Sequence, residues 1–217
     1  MGRPVPTPEQ QMVLDRIEAT PHSIVIGVDE VGLGSWAGPL VVGGVAVLRG
    51  WDHPLALDSK ALTPKRRVEA SKVILAESLG WCVASAEANQ IDQEGIVAVL
   101  ARLTREVIFD LSRRFDGLVV LDGDGNGDRN LGCDIRLPKA DALVPSVSAA
   151  SILAKVWRDD DMVNYHVSFP YYFWEQNKGY GSKAHQAGLN KYGPCTLHRF
   201  SYRPIRALAK KMGMALR

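Results

Sequence analysis

Residues 117–128 read GLVVLDGDGNGD, and the structure of this stretch decides between two fold classes. One class has a calcium-binding loop between two helices, because Asp122, Asp124 and Asn126 fall at the first, third and fifth ligand positions of such a loop. That loop also needs a bidentate carboxylate at its twelfth position, where this chain has Cys133. The apolar, partly β-branched run before Asp122 is typical of a buried strand. The stretch therefore predicts a strand that presents one carboxylate at its end.

The rest of the chain predicts an α/β fold in which a mixed sheet is flanked by helices. Apolar runs predict strands over residues 22–30, 40–48, 81–88 and 117–122, and residues 133–141 predict a short strand that leads into a loop. Capping residues and helical apolar spacing predict helices over residues 7–19, 63–80, 91–115 and 145–166, a helix from Ser182, and a basic helix at the C-terminus. The glycine-rich connection between the first two strands predicts an antiparallel pair.

The length of 217 residues suits a single domain over 1–217. We expect a core over about 22–166 and a basic, helical, substrate-binding part over about 167–217. No apolar stretch reaches the ~18 residues of a membrane span, and the first residues lack an apolar signal core. Three widely spaced cysteines favour a reduced protein. We therefore expect a cytoplasmic monomer that does not bind membranes.

Charge is distributed unevenly along the chain. Residues 176–217 contain nine Lys and Arg residues and no acidic residue, although the net charge of the whole chain is only +2. This asymmetry is compatible with a part that binds a polyanion. A solvated basic helix would give the same pattern, so charge alone leaves both interpretations open.

Carboxylates follow two of the predicted strands. Asp29 and Glu30 end the first strand and Asp122 ends a later one. Ligands of open sheets gather at strand ends, so these acids are candidates for one site that holds magnesium or manganese. Neighbouring strand residues face opposite sides, so Asp29 and Glu30 share a site only if the strand bends, which the glycines at 32 and 34 would allow. The alternative is that both acids cap or turn the chain.

Six segments in order resemble the ribonuclease HII family. They are DEVGLGSWAGP (29–39), DSKAL (58–62), LDG (121–123), KADALVPSVSAASILAKVWRDDDM (139–162), NKGYGSKAH (177–185) and YGPCTLHRFSY (192–202). The resemblance runs from about residue 24 to residue 204. It implies a ribonuclease H-like fold with a helical C-terminal part.

The resemblance implies that four acids bind metal and catalyse the reaction: Asp29, Glu30, Asp122 and Asp141. Asp141 follows from the resemblance alone, because PKAD reads as an ordinary loop. The acids at 159–161 are more prominent, but a polar helix there predicts salt bridges with neighbours such as Arg158 or Lys155. Asp124 and Asp128 match no position of the family and are interpreted as solvated loop acids.

The resemblance also implies which groups recognise the substrate. The backbone of Gly32, Leu33 and Gly34 and the side chain of Tyr180 are expected to read the 2′-hydroxyl that marks RNA. Without the resemblance, Tyr180 reads as a packed surface aromatic. Candidates for phosphate contacts are short hydroxyl and basic side chains: Ser59, Lys60, Ser148, Ser151, Lys155, His185, His198 and Arg199.

Two positions depart from the family pattern. Leu33 stands where the family has an arginine that can hold a phosphate with two hydrogen bonds. We expect that this change weakens incision at a lone ribonucleotide relative to cleavage of longer hybrids. Gly95 stands where the family usually has asparagine, which concerns the local contacts of the long predicted helix and not the chemistry.

The function that the resemblance implies is endonucleolytic cleavage of the RNA strand in RNA–DNA hybrids, including single ribonucleotides embedded in duplex DNA. Two Mg²⁺ or Mn²⁺ ions held by the four acids would activate water to attack the phosphodiester 5′ to a ribonucleotide, leaving a 3′-hydroxyl and a 5′-phosphate. Ribonuclease HIII is a rival within the class, disfavoured because its additional N-terminal platform is not seen here. A homologue that binds nucleic acid without cleaving it is a rival from another class.

Overall fold

The computed structural model describes residues 3–55, 59, 62–123 and 130–214. Within them, one sheet has the strand order β3-β2-β1-β4-β5. Its strands are β1 (Ile24–Val31), β2 (Leu40–Leu48), β3 (Gly80–Ala86), β4 (Leu118–Asp122) and β5 (Ile135–Leu137). Strands β1 and β4 are parallel, as are β4 and β5. The mixed sheet flanked by helices confirms the predicted fold class.

Capping residues explain where two of the helices begin. Thr7 accepts a hydrogen bond from the Gln10 N–H, and Thr63 caps the next helix in the same way. The helices are α1 (Pro8–Glu18), α2 (Pro64–Glu77), α3 (Ala88–Glu94), α4 (Ile96–Arg114), α5 (Ala140–Leu143), α6 (Pro145–Ser168), α7 (Trp174–Asn177), α8 (Lys183–Tyr192) and α9 (Arg203–Lys211).

The single long helix predicted over 91–115 is wrong. Residues 88–94 form α3, and α4 begins only at Ile96. Gly95 separates the two helices with φ +85° and ψ 142°. Residues other than glycine rarely adopt this backbone conformation. A Cβ at this position would meet no atom within 4 Å, so backbone conformation and not crowding is the reason for glycine.

The chain divides into two compact units. The first, called the sheet unit, consists of Met1–Val31, Val42–Ala84 and Ala101–Val156. The second, called the C-terminal unit, consists of Gly32–Val41, Ser85–Leu100 and Trp157–Arg217. Two segments from the first half of the sequence thus belong with the C-terminal residues, and the single domain expected over 1–217 stays a prediction.

Each unit has its own hydrophobic core. In the sheet unit, Val120 of β4 and Val147 of α6 belong to one buried cluster, while Val45 of β2 and Ile152 of α6 belong to another. Tyr172, Trp174 and their apolar neighbours form the core of the C-terminal unit. Among the described residues, no helix is both long and apolar enough to cross a membrane.

Candidate active site

The pairing of β1 with β4 brings two acids together in the sheet unit. Val28 lies opposite Leu121 in this parallel pair, so the next residues along the two strands are Asp29 and Asp122. Parallel strands present their carboxyl ends at the same edge of a sheet. The observed strand register thus places these two acids side by side, as the strand-end pattern predicted.

Asp141 reaches the same edge through a hydrogen bond made by its neighbour. The N–H of Ala140 donates to Oδ1 of Asp122 at 2.6 Å, which fixes the start of α5 against the end of β4. Lys139 precedes this bond with φ +62°, a turn conformation that is uncommon outside glycine. The turn and the bond together set Asp141 beside the strand ends, where its spacing in the sequence gave no such indication.

Asp29, Asp122 and Asp141 form one group of carboxylates. Each offers an oxygen, and these oxygens all lie within 4.8 Å of one another. Asp29 is buried, and burial raises its pKa well above the usual range, as do the charges of the neighbouring acids. A divalent cation would relieve this repulsion, and carboxylate oxygens are the donors that Mg²⁺ and Mn²⁺ prefer. The residues therefore fit the expected metal.

Glu30 does not belong to this three-acid group. Strand β1 continues through Val31, so Glu30 follows Asp29 within a regular strand whose successive side chains alternate between faces. Its charge nevertheless raises the pKa of Asp29. Strand β1 does not bend between Asp29 and Glu30, as it would have to for both side chains to face one site. A direct contact between Glu30 and metal stays a prediction.

Two serines are linked to Asp29, one directly and one through the other. The Ser151 side chain hydrogen-bonds to Asp29, which lowers the pKa of that acid against the other effects. Its hydroxyl also lies 3.0 Å from the hydroxyl of Ser59. Both serines are buried, so in this structure they support the acid group, and their contact with phosphate stays a prediction.

Ser148 is placed differently from the expectation. Its hydroxyl donates to the Asp141 carbonyl at 2.6 Å and accepts from the Arg3 guanidinium at 2.8 Å, and the residue is fully buried. It therefore supports the helix turn that holds Asp141 and is not available to a phosphate. Lys155 is half-buried in α6. Lys60, like Asp124 and Asp128, lies outside the described residues.

The C-terminal unit contains the glycine segment that is expected to read the 2′-hydroxyl. Gly32 is buried with φ +93°, while Leu33 is 41% exposed and Gly34 is exposed. A Cβ on Gly34 would meet no atom within 4 Å. Tyr180 is 38% exposed, with the Arg158 guanidinium 5.5 Å from its ring centre. Leu33, Gly34 and Tyr180 are therefore accessible, as recognition of a ligand requires.

His185 and His198 correct the expectation of direct phosphate contacts. Both side chains are completely buried, and their Nε2 atoms lie 3.0 Å apart. His185 Nδ1 contacts the Tyr180 carbonyl, and His198 Nδ1 accepts from the Cys195 N–H. Burial lowers the pKa of His198 to about 3 and also lowers that of His185. The pair is therefore neutral at physiological pH and cannot attract a phosphate by charge.

Arg199 requires the same correction, because it is fully buried and donates to the backbone carbonyls of Gly32 and Gly38. Arg158, which sequence reasoning treated only as a salt-bridge partner for nearby acids, is also fully buried and bonded to carbonyls. Its spacing offered a signal: Ala154 and Met162, one helical turn away on each side, are both buried apolar residues. An arginine on the apolar face of a helix needs internal partners.

The sheet and the acids at its edge define a class, the proteins of ribonuclease H-like fold. Ribonuclease H2 from Pyrococcus horikoshii has a similar structure, with a TM-score of 0.73 and 24% identity over 88% of this chain and 100% of that one. Bst-RNase HIII, solved in complex with Mn²⁺, has a TM-score of 0.70 and 18% identity over 90% of this chain and 72% of that one. At these identities the likeness concerns the fold.

Sequence similarity identifies the family. The ribonuclease HII family model matches residues 26–205. Ribonuclease HII of Bordetella avium is 40% identical over 196 residues, covering 87% of this chain and 93% of the relative. The chain therefore belongs to the ribonuclease HII family, the type 2 ribonucleases H.

Proposed function

We propose that this chain is a divalent-metal-dependent endonuclease that cleaves the RNA strand of RNA–DNA hybrids and incises duplex DNA at single ribonucleotides. The products would carry a 3′-hydroxyl and a 5′-phosphate. The observation that carries the proposal is the group of Asp29, Asp122 and Asp141, whose oxygens lie within 4.8 Å of one another. Membership of the ribonuclease HII family supports the same conclusion.

The residues of the sheet unit prepare this group to hold cations. The Ala140 N–H donates a hydrogen bond to Oδ1 of Asp122, and the Ser151 side chain hydrogen-bonds to Asp29. Both acids are therefore oriented by neighbouring groups. Bound Mg²⁺ or Mn²⁺ would act as a Lewis acid on the phosphate and lower the pKa of bound water. These hydrogen bonds would hold the two acids in place before any metal binds, which would reduce the rearrangement that binding requires. Glu30 would add a further negative charge at the same sheet edge.

Recognition of RNA would rest on the C-terminal unit. The exposed backbone at Leu33 and Gly34 can approach a sugar closely, because neither an adjacent atom nor a side chain at Gly34 fills the space. The ring of Tyr180 can stack on the sugar while its hydroxyl forms a hydrogen bond. An additional hydroxyl on the sugar is the one feature that distinguishes RNA from DNA at such a position.

Leu33 would make the enzyme a weaker single-ribonucleotide nuclease than its arginine-bearing relatives. Its exposed side chain cannot hydrogen-bond to a phosphate, whereas the arginine of the family pattern can. Long hybrids offer other contacts and would depend less on this one. Leu33→Arg should therefore raise the rate on a single-ribonucleotide duplex relative to the rate on a long hybrid, and an unchanged ratio would sink the idea.

One assay separates the proposed activity from binding without cleavage. A labelled duplex with one ribonucleotide is incubated with Mg²⁺, Mn²⁺ or chelator, using wild type, Asp29→Asn and the control Asp116→Asn, whose carboxylate is exposed. We expect metal-dependent incision by wild type and the control, and none by Asp29→Asn. Binding without metal-dependent incision by wild type would instead identify a nucleic-acid-binding homologue.

The reaction is proposed to take place in the cytoplasm. The odd number and wide spacing of the three cysteines in the sequence support this proposal, because disulfide frameworks favour oxidising compartments. Intracellular RNA–DNA hybrids would be the natural substrate there.

A further inference from the structure

Residues 32–39 form a loop, called the recognition loop, that is bonded to the side chain of Arg158. The guanidinium donates from Nε to the Pro39 carbonyl at 2.8 Å, and from Nη2 to the Ser35 hydroxyl at 2.8 Å and the Ala37 carbonyl at 3.1 Å. The side chain is fully buried, and burial lowers its pKa to about 10, so it still carries its charge at neutral pH. One buried cation thus binds three points of the loop.

Arg199 binds other carbonyls of the same loop. Its Nη1 donates to Gly32 O at 2.7 Å and to Leu33 O at 3.3 Å, and its Nε donates to Gly38 O at 3.1 Å. The Tyr202 hydroxyl accepts from Arg199 at 2.9 Å and donates to the Leu33 carbonyl. Arg158 and Arg199 together therefore hold five of the loop's carbonyls, those of residues 32, 33, 37, 38 and 39.

These bonds determine where the N–H groups of the loop point. In a planar trans peptide, the N–H of one residue points opposite to the carbonyl of the residue before it. The carbonyls of Gly32 and Leu33 face Arg199, so the N–H groups of Leu33 and Gly34 face away from the buried guanidinium. Leu33 and Gly34 are also exposed. Two consecutive donors are thereby presented on the open side of the loop, backed by positive charge.

Arg158 also connects the recognition loop to Tyr180. Its Nη1 donates to the Lys178 carbonyl at 2.9 Å, and its guanidinium lies 5.5 Å from the Tyr180 ring centre. The Trp36 N–H donates to the Gly179 carbonyl at 2.8 Å beside this contact. The loop backbone and Tyr180, which are both expected to recognise the ribose, are consequently both supported by the Arg158 guanidinium.

We propose that Arg158 and Arg199 are positioning residues for RNA recognition: they hold the loop carbonyls inward, and so direct the Leu33 and Gly34 N–H groups and the Tyr180 ring toward the ribose. This inference rests on the proposed function. It also explains Gly32, because a Cβ there would lie 2.3 Å from the Arg158 Nε. The loop and the arginine are therefore built to fit each other.

The test measures discrimination between RNA and DNA separately from catalysis. In chelator, fluorescence anisotropy gives the dissociation constants for a duplex with one ribonucleotide and for the same all-DNA duplex, and their ratio is the readout. The variants are Arg158→Lys, Arg199→Lys and Tyr202→Phe. Ile205→Ala, a change in the buried core of the same unit that touches no loop hydrogen bond, is the matched control for stability.

Lysine keeps the charge but cannot donate in several fixed directions, so both lysine variants should lower the preference for the ribonucleotide by about tenfold, the equivalent of one lost hydrogen bond of ~1.4 kcal/mol. Tyr202→Phe, which removes a single hydroxyl and is expected to fold, should lower it by about threefold. Mn²⁺ binding to the acid group, followed by the electron paramagnetic resonance of free Mn²⁺, should stay as in wild type. Ile205→Ala should lower Tm and leave the preference unchanged.

The outcomes distinguish this inference from the proposed function. If wild type prefers the ribonucleotide and the arginine and Tyr202 variants keep that preference, only the positioning role is overturned. The same holds if Ile205→Ala lowers the preference as much as the lysine variants do. A wild type without any preference overturns the proposed recognition of the 2′-hydroxyl and the positioning role with it. Loss of preference in the loop-bonded variants alone supports the proposal.

Discussion

Two glycines of the recognition loop should respond in opposite ways to an added methyl group. Gly34 has an ordinary φ, and a Cβ there would meet no atom within 4 Å. Gly34→Ala should therefore stabilise the protein by ~0.4–1 kcal/mol, because alanine restricts the unfolded chain. Gly32 has φ +93° and no room for a Cβ beside Arg158.

The expected cost of Gly32→Ala follows from these two features. A positive φ costs alanine roughly 1–2 kcal/mol, and the clash with Arg158 adds roughly 1–3 kcal/mol, as overpacking usually does. The sum of about 2–5 kcal/mol corresponds to a decrease in Tm of about 5–15 °C for a chain of this size. Gly34→Ala should instead raise Tm by about 1–4 °C.

Cleavage should separate from stability in the Gly34 variant. If the ribose approaches the backbone at Gly34, a methyl group there displaces it, and a misplacement of this kind costs about a hundredfold in kcat/KM. The assay is metal-dependent incision of a single-ribonucleotide duplex, with Tm measured on the same preparations. Wild-type incision by Gly34→Ala would refute the close approach of the substrate. A lower Tm in that variant would refute the account of the loop backbone.

Three further predictions concern the acids and the histidine pair. Asp29→Asn removes a buried acid that is repelled by neighbouring carboxylates, so without metal the Tm of this variant should exceed that of wild type. Mn²⁺ should raise only the wild-type Tm. A lower Tm of the metal-free variant would contradict repulsion among these acids. Burial lowers the pKa of His198 to about 3 in the folded protein, so only the unfolded chain binds a proton there as the pH falls below about 6.5. The free energy of unfolding should therefore decrease by roughly 1–3 kcal/mol when the pH is lowered from about 6.5 to about 4.5. Urea titrations of His198→Asn should give a shallower dependence, and equal slopes would count against a neutral pair with His185. Asp92 accepts hydrogen bonds from the N–H groups of residues 200 and 201 at 2.8 Å. Asp92→Ala should therefore lower the free energy of unfolding, measured by urea denaturation, by about 2–4 kcal/mol. A decrease below about 0.5 kcal/mol would show that these bonds do not stabilise the fold.

Strand ends and caps were predictable because they depend on residues close together in the chain. The apolar runs before Asp29 and Asp122 indicated the two acids, and Thr7 and Thr63 indicated helix starts that the structure confirms. The break at Gly95 was missed because apolar spacing continues across it, while the backbone conformation at one residue interrupts the helix. The resemblance to the family, carried by six ordered segments, indicated Asp141.

By itself, the sequence determined the class of fold, the family and the acids available for a metal site. Tertiary structure alone decided how the site is assembled, because burial and hydrogen-bond partners depend on residues far apart in the chain. The Ala140 N–H reaches Asp122 across 18 positions, and the Arg158 guanidinium reaches the Pro39 carbonyl across 119. The spacing of Arg158 in α6 indicated an apolar helix face, but no local pattern shows which carbonyls a buried guanidinium binds. Only packing removes the water and brings those carbonyls to the guanidinium.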